Sequence, residues 1–494
     1  MNVLLLNPDH DVVPDVPLAP HHRQAGHDLR LEAMVDAMAG GDDFLADVAR
    51  RVVPAGLDEV PAIRYRQDVL ADCLRHPDVI RDLYALAAAA VRQESGSVLG
   101  AMAHSPSLKL QRSIDVLGMF AETLAAVRRL GANEGAPFRS AGLTRFFTTV
   151  TTRFGDGYLG SLREHLRALR FRNGVLISAG LHPSGAGTDY SLGRPPDGRR
   201  TAARTRNGID IRIADGDDSG AQALAGIVDL GVARTAAVLA RTTDRILAFF
   251  RHLRFQAGFY VGCLNLHRRL GGAPVCWPDP VSRESVELSC RGLYDVCLAL
   301  AAPDRHAVGN DLDAGVGLIM ITGANQGGKS TFMRAVGLAH LMMQCGMFVT
   351  AASLRATVRS GVFTHFPRDE DDTLTRGRLD DELARLSSLA DTMTGGALLL
   401  LNESLSSTNE REGAQIAAEI VRALVERDVT VVYVTHMYEL SHRMYLEQGN
   451  AAVFLRADRL PDGRRTYRLH PGAPLATSYG QDLYRRIFAS GGAS

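Results

Sequence analysis

The residues with the clearest capacity for chemistry lie in one short run, Gly323-Ala-Asn-Gln-Gly-Gly-Lys-Ser330. It fits G-x4-G-K-[ST], preceded by the apolar stretch Leu318-Ile-Met-Ile321 and followed by a helical pattern from Thr331 to Gln344. Glycines at such spacing let backbone N–H groups turn inward around a triphosphate, and the N-terminus of the following helix adds partial positive charge. Gly323, Asn325, Gly327, Gly328, Lys329, Ser330 and Thr331 are therefore the candidate ATP-binding residues. Lys329 is placed to reach the β- and γ-phosphates, and the Ser330 hydroxyl to ligate Mg2+. Lys109 and Lys329 are the only lysines in a chain otherwise rich in arginine, so this position calls for an ammonium.

Further along, the apolar run Ala397-Leu-Leu-Leu-Leu-Asn-Glu403 ends in two polar residues. A carboxylate there can orient an attacking water and take its proton, which makes Glu403 a candidate catalytic base. Asn402 stands where P-loop ATPases carry an aspartate. Its amide offers an oxygen to a Mg2+ shell but no charge, so the metal is held less firmly. The strand pattern Val429–Val434 ends in Thr435-His436, and His436 beside a phosphate loop reads as a γ-phosphate sensor.

These residues need a scaffold, and the sequence supplies two kinds. From about 311 to 488 short apolar strands alternate with helices, the pattern of a parallel α/β sheet. Strands are expected at 316–322, 361–365, 397–401 and 429–434, with helices at about 328–344, 378–394 and 411–427. Residues 29–260 read as a mainly helical core and lever, punctuated by Pro54, Pro61, Pro77 and Pro106. Leu159, Leu162, Leu166 and Leu169 step by three and four residues. So do Val228, Val232, Thr235, Leu239, Thr242, Ile246, Phe249 and Leu253. That 3.5-residue period fits either one amphipathic helix on an ordinary core or a paired antiparallel arm.

Between those segments, 173–227 is rich in Gly, Pro, Asp and Arg, with strand-like pieces Val175-Leu-Ile177 and Ile209-Asp-Ile-Arg-Ile213. It reads as a small β/loop insertion. Arg194, Arg199, Arg200, Arg204 and Arg206 there are either a solvated loop or a phosphate-contacting tip. Residues 1–28 read as a loose lead-in and 261–310 as a connector.

Composition narrows the class. The formal net charge is zero, with 46% hydrophobic and 22% charged residues, so no global basic field marks a nucleic-acid binder. Cys73, Cys263, Cys276, Cys290, Cys297 and Cys345 are scattered without CxxC spacing, giving no zinc site and an expectation of reduced thiols. No uninterrupted apolar run approaches the ~20 residues of a membrane span, and the expected location is cytoplasmic, with no membrane partner.

Taken together, the motifs resemble those of the MutS family of DNA mismatch-repair ATPases. Thr322-Gly-Ala-Asn-Gln-Gly-Gly-Lys-Ser-Thr331 is similar to that family's TGPNMGGKST, and Tyr433-Val-Thr-His-Met-Tyr-Glu-Leu440 to its ATHYxEL switch. The interval from Asn402-Glu403 to Glu412-Gly413 equals that between the family's DE and DG. Ala476-Thr-Ser-Tyr-Gly480 resembles its SYG segment, and Val308-Gly-Asn-Asp311 its ND element. Upstream, Arg64-Tyr-Arg-Gln-Asp-Val-Leu70 resembles the start of the helical core more weakly, and 173–227 sits where the family carries its DNA clamp.

The resemblance implies an ABC-type P-loop ATPase domain C-terminal to a helical core and lever. It also implies ATP and Mg2+ as cofactors, a homodimer through the ATPase domains, and clamping of duplex, mismatched or branched DNA. Departures qualify it. About thirty residues of this sequence precede the helical core, so no mismatch-reading domain is expected among them. The one Phe-x-Glu match, Phe120-Ala-Glu122, lies in an amphipathic helix as core packing. Asn402 replaces an aspartate, and Arg376-Gly-Arg-Leu-Asp-Asp381 replaces a serine-containing signature. A nucleotide-gated dimeric scaffold with weak ATPase activity is the alternative. No LSGGQ-like signature supports a transporter ATPase, and the helical arm has no role in a small-molecule kinase.

Overall fold

A computed structural model describes residues 2–12, 17–95, 105–133, 138–172, 174–193, 212–302, 307–367 and 377–476. The chain divides into two compact units. One comprises Met1–Leu4, Asp78–Arg139 and Leu143–Ala257, the other Leu5–Pro77, Ser140–Gly142 and Gly258–Ser494.

The elements begin with helices α1 (Pro20–Asp28), α2 (Glu32–Ala39), α3 (Asp43–Val52) and α4 (Val60–Arg75). Next come α5 (Pro77–Ser95), α6 (Pro106–Asn133), α7 (Ala141–Arg153) and α8 (Asp156–Ala168). Prolines open α1, α5 and α6, and Pro61 lies in the first turn of α4, where a missing N–H costs nothing. Asp42 caps α3 by accepting the N–H groups of Phe44 and Leu45. The antiparallel hairpin β1 (Leu176–Leu181) and β2 (Gly187–Gly193) precedes the 52-residue helix α9 (Asp218–Arg269).

Within the first unit, three helices share a core. Leu110, Ile114 and Leu117 of α6 pack with Leu166 of α8 and with Val232 and Ala236 of α9. Asp229 accepts the N–H and the hydroxyl of Ser107, tying α9 to the start of α6. Both segments that show the 3.5-residue period thus lie in one core, which they share with α6. Thr242 is exposed and Thr243 buried, because a helix with two neighbours buries a 3.6-residue stripe and drifts off a strict heptad. Phe120 is fully buried and lies 5.1 Å from the ring of Phe250, so the Phe-x-Glu match is core. By length and composition α9 could cross a membrane, with a window of mean hydropathy 1.7 that is 17% buried. The expectation from uninterrupted runs overlooks it. Leu224, Ile227, Leu230 and Val238 leave an apolar side of this helix exposed.

The second unit carries β3 (Asp279–Val281), β4 (Leu288–Leu293), α10 (Val296–Ala301) and β5 (Asn310–Ala314). It continues with β6 (Leu318–Gly323), α11 (Lys329–Gln344), β7 (Ser353–Thr357), β8 (Val362–His365), α12 (Arg378–Thr392) and β9 (Leu398–Asn402). Last come α13 (Glu410–Glu426), β10 (Thr430–Val434), α14 (Tyr438–Gln448), β11 (Ala452–Arg459) and β12 (Arg465–Pro471). Six strands form one sheet in the order β12-β11-β6-β10-β9-β8, parallel except for β12. Strands β6, β9 and β10 are buried almost throughout, which is why they read as continuous apolar runs. A four-stranded sheet, β3-β7-β4-β5, takes β7 from between β6 and β8 in the chain.

Four sequence expectations are corrected here. The described part of residues 1–28 is not a loose lead-in: Leu5 and Leu6 are fully buried, Tyr260 donates to the Leu5 carbonyl at 2.6 Å, and α1 is a helix. His21 of α1 stacks on Phe363 at 4.5 Å, and Asp28 accepts from Thr364 at 2.7 Å. The polar composition of this segment hides the few apolar residues that anchor it. Residues 29–77, expected in the helical domain, cluster instead with the sheets, and 261–310 supplies strands to the four-stranded sheet. The insertion ends earlier than expected, since α9 begins at Asp218, and residues 194–211 lie outside the described ones.

Replacing Phe120 with Ala removes a fully buried ring and should cost about 3–5 kcal/mol in a denaturant titration. A loss under about 1 kcal/mol would contradict the core assignment.

Candidate functional site

Register brings the chemistry together. Val434 at the end of β10 lies opposite Asn402 of β9 on one side and Ile321 of β6 on the other. Three loops therefore leave the sheet at its carboxyl edge side by side, where open α/β sheets bind ligands. The Glu403 N–H donates to the Val434 carbonyl at 2.8 Å and the Thr435 N–H to the Ile321 carbonyl at 3.1 Å, extending both ladders into the loops.

The first loop is the glycine-rich one. Gly323 ends β6 at φ 103°, and Gly328 caps α11 at φ 92°, a left-handed region where a side chain is strained. A Cβ on Gly327 would lie 2.7 Å from that of Ala457 on β11, so only glycine lets the loop lie this close to the strand. Asn325 sits in the loop, and Lys329, Ser330 and Thr331 open α11. Lys329 is 5% exposed, and its ammonium donates to the carbonyls of Gly323 at 2.8 Å and Ala324 at 3.2 Å. Burial lowers its pKa from the ordinary value, opposed by the Glu403 carboxylate. The Ser330 hydroxyl donates to Asn402 Oδ1 at 2.8 Å, so the two candidate metal ligands face one another.

Glu403 follows Asn402 at φ 51°, unusual for a residue with a side chain. His436 Nδ1 lies 3.9 Å from Glu403 Oε1, an ion-pair distance longer than a hydrogen bond, and both side chains are partly exposed. Pairing with His436 lowers the Glu403 pKa against the opposing effect of burial, and pairing with Glu403 raises that of His436. Glu410 at the start of α13 accepts the Tyr438 N–H at 2.8 Å and so fixes the turn after His436.

Two contributors escape sequence reasoning. Arg465 of β12 donates through Nε to the Asn325 carbonyl at 3.1 Å, a second cation at the glycine-rich loop. It stands in a hairpin without a motif, and only the antiparallel return of β12 delivers it. Asn310, noted only as part of the ND element, donates to the Tyr467 carbonyl at 3.0 Å and accepts the Leu469 N–H at 2.8 Å. It thereby joins β5 to β12 along a cavity of about 440 Å3 lined by Leu293, Leu298, Gln326, Thr331, Phe332 and Tyr467. The candidate DNA-contact residues Arg194, Arg199, Arg200, Arg204 and Arg206 lie outside the described residues, as do Arg376 and the Ser478–Gly480 segment.

Residues 58–273 match the family model of the MutS2 N-terminal domain, and residues 319–484 that of MutS domain V. The chain belongs to the MutS family. Endonuclease MutS2 of Anaeromyxobacter sp. (strain Fw109-5) is 35% identical over 176 residues, 34% of this chain and 21% of that protein. DNA mismatch repair protein MutS of Thermus aquaticus is 32% identical over 176 residues, 36% of this chain and 22% of that protein. Endonuclease MutS2 of Thermus thermophilus is 31% identical over 185 residues, 37% of this chain and 25% of that protein. The match thus spans at most a quarter of these relatives' own lengths. MutS domain V is a P-loop ATPase-type domain, which implies nucleotide binding in this MutS-family chain.

The Glu403–His436 pair carries a pH signature. A raised His436 pKa favours the protonated ring, so its stabilising effect is present below 6.5 and lost as pH rises through the folded value. The lowered Glu403 pKa favours the carboxylate, whose effect is present above 4.5 and lost as pH falls through the folded value. An NMR titration should find the His436 midpoint above 6.5 and see it fall in Glu403→Gln. An unchanged midpoint in that variant would show that the two groups do not interact.

Proposed function

We propose that this chain is an ATPase of the MutS type that couples ATP binding and hydrolysis to holding DNA, acting as a homodimer through its ATPase domains in the cytoplasm. The observation that carries the reading is the convergence of Lys329, Ser330, Asn402, Glu403 and His436 on adjacent ends of three parallel strands. The residues fit a magnesium–nucleotide complex. Lys329 is buried and bonded to loop carbonyls that phosphate oxygens can replace. Ser330 and Asn402 present oxygens suited to Mg2+, whose role when bound is to neutralise charge on the phosphates.

In this assignment Gly323, Asn325, Gly327, Gly328 and Thr331 build the loop and helix start that cradle the phosphates. Glu403 would accept the proton of the attacking water, and His436, 3.9 Å from that carboxylate, would sense the γ-phosphate. The cavity beside Thr331 and Tyr467 has apolar and polar walls and a volume of about 440 Å3, room for a nucleoside. The first unit, with its packed helices, is the DNA-holding part, with duplex, mismatched or branched DNA as the partner. A second reading, a nucleotide-gated scaffold with weak turnover, is favoured by one observation: Asn402 brings no charge to the metal side of the site. The names of the relatives, endonuclease and DNA mismatch repair protein, support a nucleic-acid partner.

Glu403→Gln should reduce ATP hydrolysis by about a hundredfold or more while ATP still binds, as expected for loss of a general base. Phosphate release from the variant at the wild-type rate would refute the assignment. Wild-type turnover too slow to exceed that of Glu403→Gln would favour the scaffold.

A further inference from the structure

The loop that follows Glu403 is held by more side chains than its length requires. Two non-glycine residues here, Glu403 at φ 51° and Leu405 at φ 60°, are left-handed, a conformation that strains a residue with a side chain. Something must over-determine this backbone. The Leu405 N–H, in a residue 2% exposed, donates to Glu382 Oε2 at 2.8 Å. The same oxygen accepts the Ser407 hydroxyl at 3.3 Å. Glu382 lies on α12 and is 8% exposed.

Other elements close the grip. Tyr433 of β10 donates to the Ser404 carbonyl at 2.5 Å, and Ser404 donates to the His365 carbonyl at 3.0 Å. Ser406 donates back to the Glu403 carbonyl at 2.8 Å. On α13, a Cβ at Gly413 would lie 2.5 Å from the Leu405 carbonyl, so this glycine admits the loop against the helix. Among these contacts Glu382 alone offers a carboxylate, and it is spent on a backbone N–H and a hydroxyl.

We infer that Glu382 is a positioning residue for hydrolysis: by accepting the Leu405 N–H it holds the left-handed turn that aims the Glu403 carboxylate. This rests on Glu403 being the general base. Glu382 touches no reacting atom. Its effect belongs to the chemical step, not to nucleotide affinity, because Lys329, Ser330 and the glycine-rich loop are set by β6 and α11. An ångström of misplacement at a reacting group can cost about a hundredfold in rate.

The test compares wild type, Glu382→Met, which fills the space without an acceptor, and Glu382→Gln, which keeps one. Three readouts are taken on the whole chain: affinity for a fluorescent ATP analogue, single-turnover hydrolysis, and hydrogen exchange at the Leu405 amide. The expected result is a tenfold to hundredfold slower single turnover in Glu382→Met, at an affinity within about threefold of wild type. Leu405 should exchange faster in that variant, and Glu382→Gln should recover both rate and protection. Equal hydrolysis in wild type and Glu382→Met overturns the inference and leaves the ATPase reading intact. A parallel loss of affinity and rate overturns it too, because Glu382 would then act on the site as a whole. A wild type that binds the analogue but does not hydrolyse ATP overturns the ATPase reading, and the positioning role with it. Should Glu382→Met fail to fold, Glu382→Gln decides: slow turnover with an unprotected Leu405 amide contradicts the acceptor role.

Discussion

Backbone pairing of β10 with both its neighbours is the constraint on which the rest depends. With Val434 opposite Asn402 and Ile321, the loops after β6, β9 and β10 have no freedom to leave the sheet at different heights. Each loop contributes different groups: a cation and a hydroxyl from the first, an amide and a carboxylate from the second, an imidazole from the third. None would be useful alone. A slip of one residue in β9 would move Asn402 away from Ser330 and turn Glu403 toward the other face of the sheet. The apolar runs that fill these strands, buried on both faces, are therefore the sequence feature that makes the polar residues at their ends into a site.

The same constraint explains why the ATPase-type domain is so legible in the sequence. Its strands and helices announce themselves by apolar runs and helical periods, and its glycines by motif, since phosphate loops tolerate few alternatives. Burial of Lys329 and its bonds to loop carbonyls follow from the motif almost directly. Less legible are contacts made across long intervals of chain. Arg465 meets Asn325 because β12 folds back on β11, and nothing in the local residues of that hairpin indicates it. Glu382 is visible as a residue but not as a ligand of the Leu405 N–H, because a side chain's acceptor role depends on tertiary placement. Domain boundaries are hidden for a related reason. Leu5, Leu6 and α1 join the sheet-bearing unit through a few anchored contacts in an otherwise polar segment, which composition averages away.

In the helical unit the heptad pattern points to two helices that share a core and is silent on the third. Three helices share the core around Leu110, Ile114 and Leu117 of α6, to which α9 presents Val232 and Ala236. A strict two-stranded register would have buried Thr242, which is exposed. Membership in the MutS family rests on both halves of the chain, since each matches its own family model. At the departure from the family's aspartate, the Asn402 amide oxygen accepts the Ser330 hydroxyl at 2.8 Å.

The central claim is that nucleotide at the β6 loop controls the holding of DNA. Fluorescence anisotropy of labelled matched duplex, mismatched duplex and a branched junction, with and without ATP across a salt series, tests it most directly. The account predicts salt-dependent binding that ATP changes, with the preferred DNA identifying the substrate. Absence of binding to all three at low salt, or binding indifferent to ATP, would contradict it.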